Sequence, residues 1–172
     1  MRALVQRVTQ AEVEVTGRVV GRIGPGLLVY VAVAVGDGDE QARWLAQKIA
    51  QLRIFEDDQD RLTRSVQDIW GDVLAISNFT LLADARKGRH PAFSAAAGAE
   101  QARPIHEAFL SALREQGVNV QTGEFGATMA IRSQAAGPVN VVIDVPPREG
   151  AAGAMAGRAG AEIGGSNTQT QH

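Results

Sequence analysis

The sequence has no cysteine among its 172 residues. That absence excludes disulfides, thiolate nucleophiles and zinc–thiolate sites together, and it is compatible with a reducing compartment. Histidine is almost as scarce. His90, His106 and His172 lie far apart and never at metal-ligand spacing, so no metal and no cofactor is expected. His90 falls in a loop, and His106 is expected on the solvated face of a helix beside Glu107. An excess of positive charge is also missing, since 17 basic residues face 19 acidic ones for a net charge of −2. A chain that grips nucleic acid along its backbone usually carries a basic excess, so broad binding to DNA or RNA is disfavoured. A partner that offers one nucleotide end to a pocket remains open. The longest apolar run, residues 27–35, is far too short to span a bilayer. Arg2 and Arg7 stand where a signal peptide would need an apolar stretch. The expectation is a cytoplasmic domain with no membrane partner.

Familiar catalytic signatures are absent too. No glycine-rich loop is followed by Lys-Ser or Lys-Thr, and Gly36-Asp37-Gly38 lacks the third glycine of a dinucleotide turn, which leaves a strand-to-helix turn. Ser77, Asp84 and His90 supply the side chains of a triad, but no Gly-x-Ser-x-Gly elbow surrounds Ser77.

What is present is a core. Hydrophobic residues make up 45% of the chain, enough for one domain. Residues 5–15 alternate in part, with Val13 and Val15 set against Glu12 and Glu14, as in a strand with one wet face. Glycines at 17 and from 21 to 26 mark turns, and residues 27–35 read as a strand buried on both faces. Asp37 or Asp39 can cap a helix in which Leu45, Ile49 and Leu52 share a face, with Trp44 beside them. Residues 53–56 and 73–82 read as further strands. Ile105, Phe109 and Leu113 define a second helix, with Pro104 expected in its first turn and Gly117 as its stop. Residues 127–131 and 139–145 read as two closing strands joined through Gly137-Pro138. The expected architecture is α/β: a mixed, mostly antiparallel β-sandwich with two flanking helices, formed by residues 1–147. From 148 to 172 the composition turns to Gly, Ala, Ser, Asn, Thr and Gln, which cannot bury enough surface to offset ordering, so a disordered tail is expected.

Two places stand out. Ser77-Asn78-Phe79-Thr80 puts three polar groups in an otherwise apolar strand, where buried polar groups need partners. Gly137-Pro138 sits between two strands, although proline cannot donate to a sheet ladder. Both also have ordinary readings, as a wet strand edge and as a turn.

These features are where the sequence resembles the D-aminoacyl-tRNA deacylase family, over about residues 1–145. Leu52-Arg53-Ile54-Phe55-Glu56-Asp57 is similar to a strand and turn of that family, and Ser77-Asn78-Phe79-Thr80 to its Ser-Gln-Phe-Thr motif. Lys87-Gly88-Arg89-His90-Pro91-Ala92-Phe93 resembles its Lys-Gly-Arg-x-Pro-x-Phe loop. Thr122-Gly123-Glu124-Phe125-Gly126-Ala127-Thr128-Met129 and Gly137-Pro138-Val139 follow in the family's order. The resemblance implies hydrolysis of the ester between a D-amino acid and the terminal adenosine of tRNA, and removal of mischarged glycine, as a proofreading step. It implies a homodimer in which a cis Gly137–Pro138 peptide enters the other subunit's pocket and selects the substrate's hand with backbone carbonyls. Ser77, Phe79 and Thr80 would line the reaction centre, with the Phe79 N–H as an oxyanion donor. Phe125 and Met129 would embrace the adenine, and Arg7 would brace the Gly-Pro loop. The water is then helped by the tRNA's own 2′-hydroxyl, which is why no side-chain base is evident. Asn78 stands where the family has glutamine, and Ala135-Ala136 where it has Asn-Asp. Two alternatives follow from such departures: a relative with a trans Gly-Pro peptide that removes L-alanine, or a catalytically idle binder of the tRNA end.

Overall fold

In the computed structural model, which describes residues 1–146, strand β1 (Arg2–Val15) serves three partners. Its first half pairs antiparallel with β3 (Gly26–Ala32), its second half with β2 (Arg18–Ile23), and β8 (Ala130–Asp144) pairs antiparallel along its length. One strand can do this because its buried side chains change face midway. Ala3 and Val5 enter one hydrophobic cluster, while Val8, Ala11 and Val13 enter another. Register irregularities between Gln6 and Val8, and between Val8 and Gln10, accompany the change. A single-residue offset moves every later side chain to the opposite face.

The sheet continues through β6 (Asp72–Ser77), parallel to β3, to β7 (Asn119–Thr122), parallel to β6. Parallel neighbours need crossovers, and helices α1 (Asp39–Ala50) and α2 (Ala99–Glu115) supply them. Leu27, Val29, Val31, Val73 and Ala75 pack with the helices through Leu45, Ile49, Phe109 and Leu113. Leu28, Leu74 and Ile76 point the other way, into the cluster with Val8 and Val13. Strands β3 and β6 are thus apolar on both faces, which explains the unbroken run from residue 27. The two layers of the expected sandwich are two halves of one curled sheet, with β2 folded over β6 and β7. The short pair β4 (Phe55–Glu56) and β5 (Leu62–Arg64) stands apart.

Several local expectations need correction. β2, β5 and β7 are strands although their sequences are short and polar, because neighbouring strands and not their own pattern hold them. Residues 130–144 form one strand where two were expected, and 127–129 lie outside it. Gly38, not an aspartate, caps α1, with its N–H on Gln41 Oε1 at 3.0 Å. Asp37 instead accepts the Ala34 N–H at 2.6 Å and pairs with the Met1 amine. Pro104 lies inside α2, beyond its first turn, so one backbone bond of the helix is missing there. The strand expected over 73–82 stops at Ser77 and gives way to a 3-10 turn, Phe79–Leu82. Gly117, at φ +79°, ends α2 as expected. The segment expected to be a disordered tail lies outside the described residues.

One glycine is fixed by contact. A Cβ on Gly26 would fall 2.0 Å from the Asp72 carbonyl oxygen of the parallel neighbour. No rotamer relieves a clash with backbone, so Gly26→Ala should force β3 from β6 and cost about 2–3 kcal/mol or more. Urea unfolding at neutral pH measures this, and a midpoint equal to wild type would contradict it.

Candidate active site

β6 ends where its side chains turn polar. The Asn78 N–H still reaches the Val31 carbonyl at 2.8 Å, and the chain then enters the 3-10 turn. The Asn78 side chain caps that turn: its Oδ1 accepts the Thr80 N–H at 3.2 Å and the Thr80 hydroxyl at 2.5 Å. A glutamine, one methylene longer, fits this local cap poorly. Asn78 is therefore spent on positioning Thr80. Neither the Phe79 N–H nor the Ser77 hydroxyl makes a hydrogen bond among the described residues.

Beside this turn lies a cavity of about 330 Å³ with a largely apolar wall that includes Val31, Val33, Ser77, Phe79, His106 and Phe125. The Phe125 ring is flanked by the Arg103 guanidinium, 4.6 Å from its centroid, and by the His106 ring at 5.8 Å. Phe79 is exposed and meets Phe93 edge-on at 5.2 Å. A larger groove of about 510 Å³ runs past Gln10, Glu12, Arg22 and Arg132. Its charges satisfy one another: Glu12 accepts from Arg22 at 2.7 Å and from Arg132 at 3.2 Å, which holds its carboxyl below the usual range. It offers no free reacting group.

The anticipated site residues fall in three places. Ser77, Asn78, Phe79 and Phe125 share the cavity, with Thr80 on the adjoining turn. Met129 packs with the second hydrophobic cluster, where a Cβ on Gly123 would lie 2.4 Å from its Sδ. Arg7, Gly137 and Pro138 lie apart from the cavity. Gln6 pairs with Asn140 and Val8 with Ala135, so residues 136–139 loop out of β8 opposite Arg7 alone. The peptide at Gly137–Pro138 is cis. Arg7 is buried and donates from Nε to Ala136 O at 3.2 Å, from Nη1 to Ile54 O at 3.0 Å and from Nη2 to Glu56 Oε1 at 3.1 Å. No triad forms: Asp84 is held by Arg86, and no hydrogen bond joins Ser77, Asp84 and His90 among the described residues.

His106 corrects the sequence reading. It is not on a solvated face but 4% exposed, and its Nδ1 is buried without a hydrogen-bond partner. Burial pushes its pKa down to about 4, so the ring is neutral near pH 7. The signal was available, because 102, 106, 109 and 113 repeat at helical spacing and the other three are Ala, Phe and Leu. A charged neighbour, Glu107, drew attention to the wrong face.

The fold and cavity define an α/β domain built on one main sheet, with a small, largely apolar pocket whose polar groups include the Ser77 hydroxyl and the unused Phe79 N–H. The chain belongs to the D-Tyr-tRNA(Tyr) deacylase family, whose model matches residues 4–144. It is similar to the D-aminoacyl-tRNA deacylase of Carboxydothermus hydrogenoformans, 48% identical over 145 residues, which covers 84% of this chain and 100% of that protein. The D-aminoacyl-tRNA deacylase of a Roseiflexus species is 51% identical over 84% of this chain and 93% of that protein. Among solved structures, the c-Myc DNA unwinding element binding protein superposes with a TM-score of 0.80 at 35% identity, over 86% of this chain and 100% of that one. A probable eukaryotic D-amino acid tRNA deacylase shares the fold, with a TM-score of 0.74 at 19% identity, over 84% of this chain and 98% of that one.

The buried imidazole sets a pH dependence. The folded-state pKa lies below that of the unfolded chain, so the unfolded state binds more protons as pH falls from about 6.5 to 4, and stability drops across that window. The loss attributable to His106 is about 3 kcal/mol at the acid end. His106→Phe should unfold in urea with a shallower decline between pH 7 and pH 4 than wild type. Parallel curves would contradict a buried neutral ring.

Proposed function

We propose that this chain hydrolyses the ester joining a D-amino acid to the 3′-terminal adenosine of tRNA, and that it removes mischarged glycine from tRNA in the same way. Water adds to the ester carbonyl, the ribose oxygen leaves with a proton, and free amino acid and tRNA result. The reading is carried by a cavity rimmed by Ser77 and an unused Phe79 N–H in a chain of this family.

Each part has a physical task. As carbonyl carbon becomes tetrahedral, charge gathers on its oxygen, and the Phe79 N–H donates to it from a site that needs no rearrangement. Thr80, held by Asn78 Oδ1, positions the reacting group and does not attack it. Phe125, backed by Arg103, presents a flat face to the adenine. Attack is assisted by the substrate's own 2′-hydroxyl, so the protein needs no side-chain base. Nothing in the structure favours an L-alanine specificity or an idle binder.

Chiral selection requires the Gly137-Pro138 loop, which lies outside the cavity of its own chain. We therefore read the active form as a homodimer in which each loop enters the other subunit's pocket. Support comes from β8, a long, mostly exposed strand that, among the described residues, pairs only with β1 and shows Val142 at 62% exposure. Such an edge is a pairing hazard unless a partner covers it. No helix among the described residues is long and apolar enough to cross a membrane. A cytoplasmic location fits a substrate made there.

Side-by-side hydrolysis of D-Tyr-, L-Tyr- and Gly-tRNA tests the reading. D-Tyr- and Gly-tRNA should be cleaved and L-Tyr-tRNA spared, whereas cleavage of the L-ester alone would overturn it. Thr80→Ala should retain activity, reduced about 10- to 100-fold for one lost polar contact. An aminoacyl adduct on Thr80 or Ser77 would establish nucleophilic catalysis instead.

The dimer is tested separately. Val142→Asp should yield monomers by sedimentation and lower kcat at least tenfold. A fully active monomer would refute shared sites.

A further inference from the structure

Although the whole chain is slightly acidic, its positive charge is not evenly spread. Asp84 and Ala92 exchange backbone hydrogen bonds at 2.7 and 2.9 Å and close a hairpin whose tip, residues 85–91, is exposed throughout. The tip carries Arg86, Lys87 and Arg89. Arg86 is neutralised by Asp84 at 2.7 Å. Lys87 and Arg89 have no ion pair or hydrogen bond among the described residues.

The hairpin is attached to the cavity at both ends. On one side it leaves the 3-10 turn that holds Phe79 and Thr80. On the other, Phe93 lies against Phe79, and Ala97 is part of the cavity wall. The leg from Ala92 back to Gly88 reaches at most about 13–14 Å. Arg89 stands four residues and Lys87 six residues before Phe93, which packs on the cavity-lining Phe79 at the rim.

We infer that this tip is a docking element for the phosphates of the single-stranded 3′ end of tRNA, with Lys87 and Arg89 as its cations. Resting on the tRNA reading above, it adds a contact that the terminal adenosine cannot make. Once the last nucleoside is in the cavity, the preceding phosphates must pass its rim, and two unpaired cations wait there. Phosphate contacts position the chain without reading its sequence, so the tip would serve any tRNA alike.

The test is Lys87→Gln/Arg89→Gln in the full chain, compared with the charge-keeping Lys87→Arg/Arg89→Lys. Uncharged tRNA, followed by fluorescence anisotropy over a KCl series, reads the contact without any catalysis. The neutral variant should bind about tenfold more weakly at low salt, with a slope of log Kd on log[KCl] shallower by about 1–1.5, as expected for two single-strand contacts. The charge-keeping variant should behave as wild type. In hydrolysis, the neutral variant should raise KM for D-aminoacyl-tRNA and leave the D-aminoacyl ester of adenosine, which has no phosphates, unaffected. An unchanged salt slope would overturn the proposal, as would equal losses on both substrates or binding of the tip to anionic lipid vesicles without loss toward tRNA. If wild type cleaves neither ester, the hydrolytic reading fails, while the anisotropy series still decides the role of the tip.

Discussion

A positive charge is folded into the interior at Arg7, and much of the molecule is arranged to receive it. A buried cation must be paired and its N–H groups supplied with acceptors, or it costs several kcal/mol. Arg7 meets this demand with two backbone carbonyls and the Glu56 carboxylate, drawn from the segment leading to β4, from β4 itself and from β8. The Ala136 carbonyl is available only because residues 136–139 leave the ladder opposite Arg7. The same departure displays Gly137 and Pro138. At φ +118°, with a notional Cβ 3.0 Å from Arg7 Nη2 and 2.9 Å from Val139 N, position 137 has room for no side chain. Charge burial, bulge and loop are one arrangement.

The change of face along β1 has the same origin in place. Residues before Arg7 pack under the helices, and residues after Val8 pack inside the curled sheet. That division fixes β3 and β6 between two hydrophobic clusters. The cavity opens where these two strands end together, at the Val31–Ser77 pair. A wall of two largely buried strands meets a turn whose Phe79 N–H is unused and whose Thr80 is held by Asn78. On the proposed reading, the chemistry is carried by a few atoms around Ser77 and Phe79, placed by a frame of packed strands.

Much of this was legible in the residues, for reasons that differ by element. The strand beginning near residue 27 and both helices announce themselves through apolar period, which survives any tertiary context. β2 and β7 do not, because Arg18 and Arg22 are held extended by β1 across a tight hairpin and Gln121 by the distant β6. Pro104 misled for a similar reason: packing of α2 around Ile105 and Phe109 outweighs one missing backbone bond. Ser77, Asn78 and Phe79 stand out as a polar break in an apolar strand and Phe125 only through resemblance, and all four share a cavity, while His106 was missed because a histidine beside a glutamate reads as surface. The role of Asn78 as a cap for Thr80 was not readable at all, since it depends on where β6 stops.

The position of the cavity between two strand ends has an evolutionary consequence. Val31, Val33 and Ala102 line the cavity and also belong to the hydrophobic core, so a substitution that reshapes the wall also disturbs that core. The 85–91 tip is under no such obligation, being exposed throughout. Heritable variation in what this protein handles is thereby channelled to the rim. Its lineage can change the rim one surface residue at a time without renegotiating the frame that holds the site.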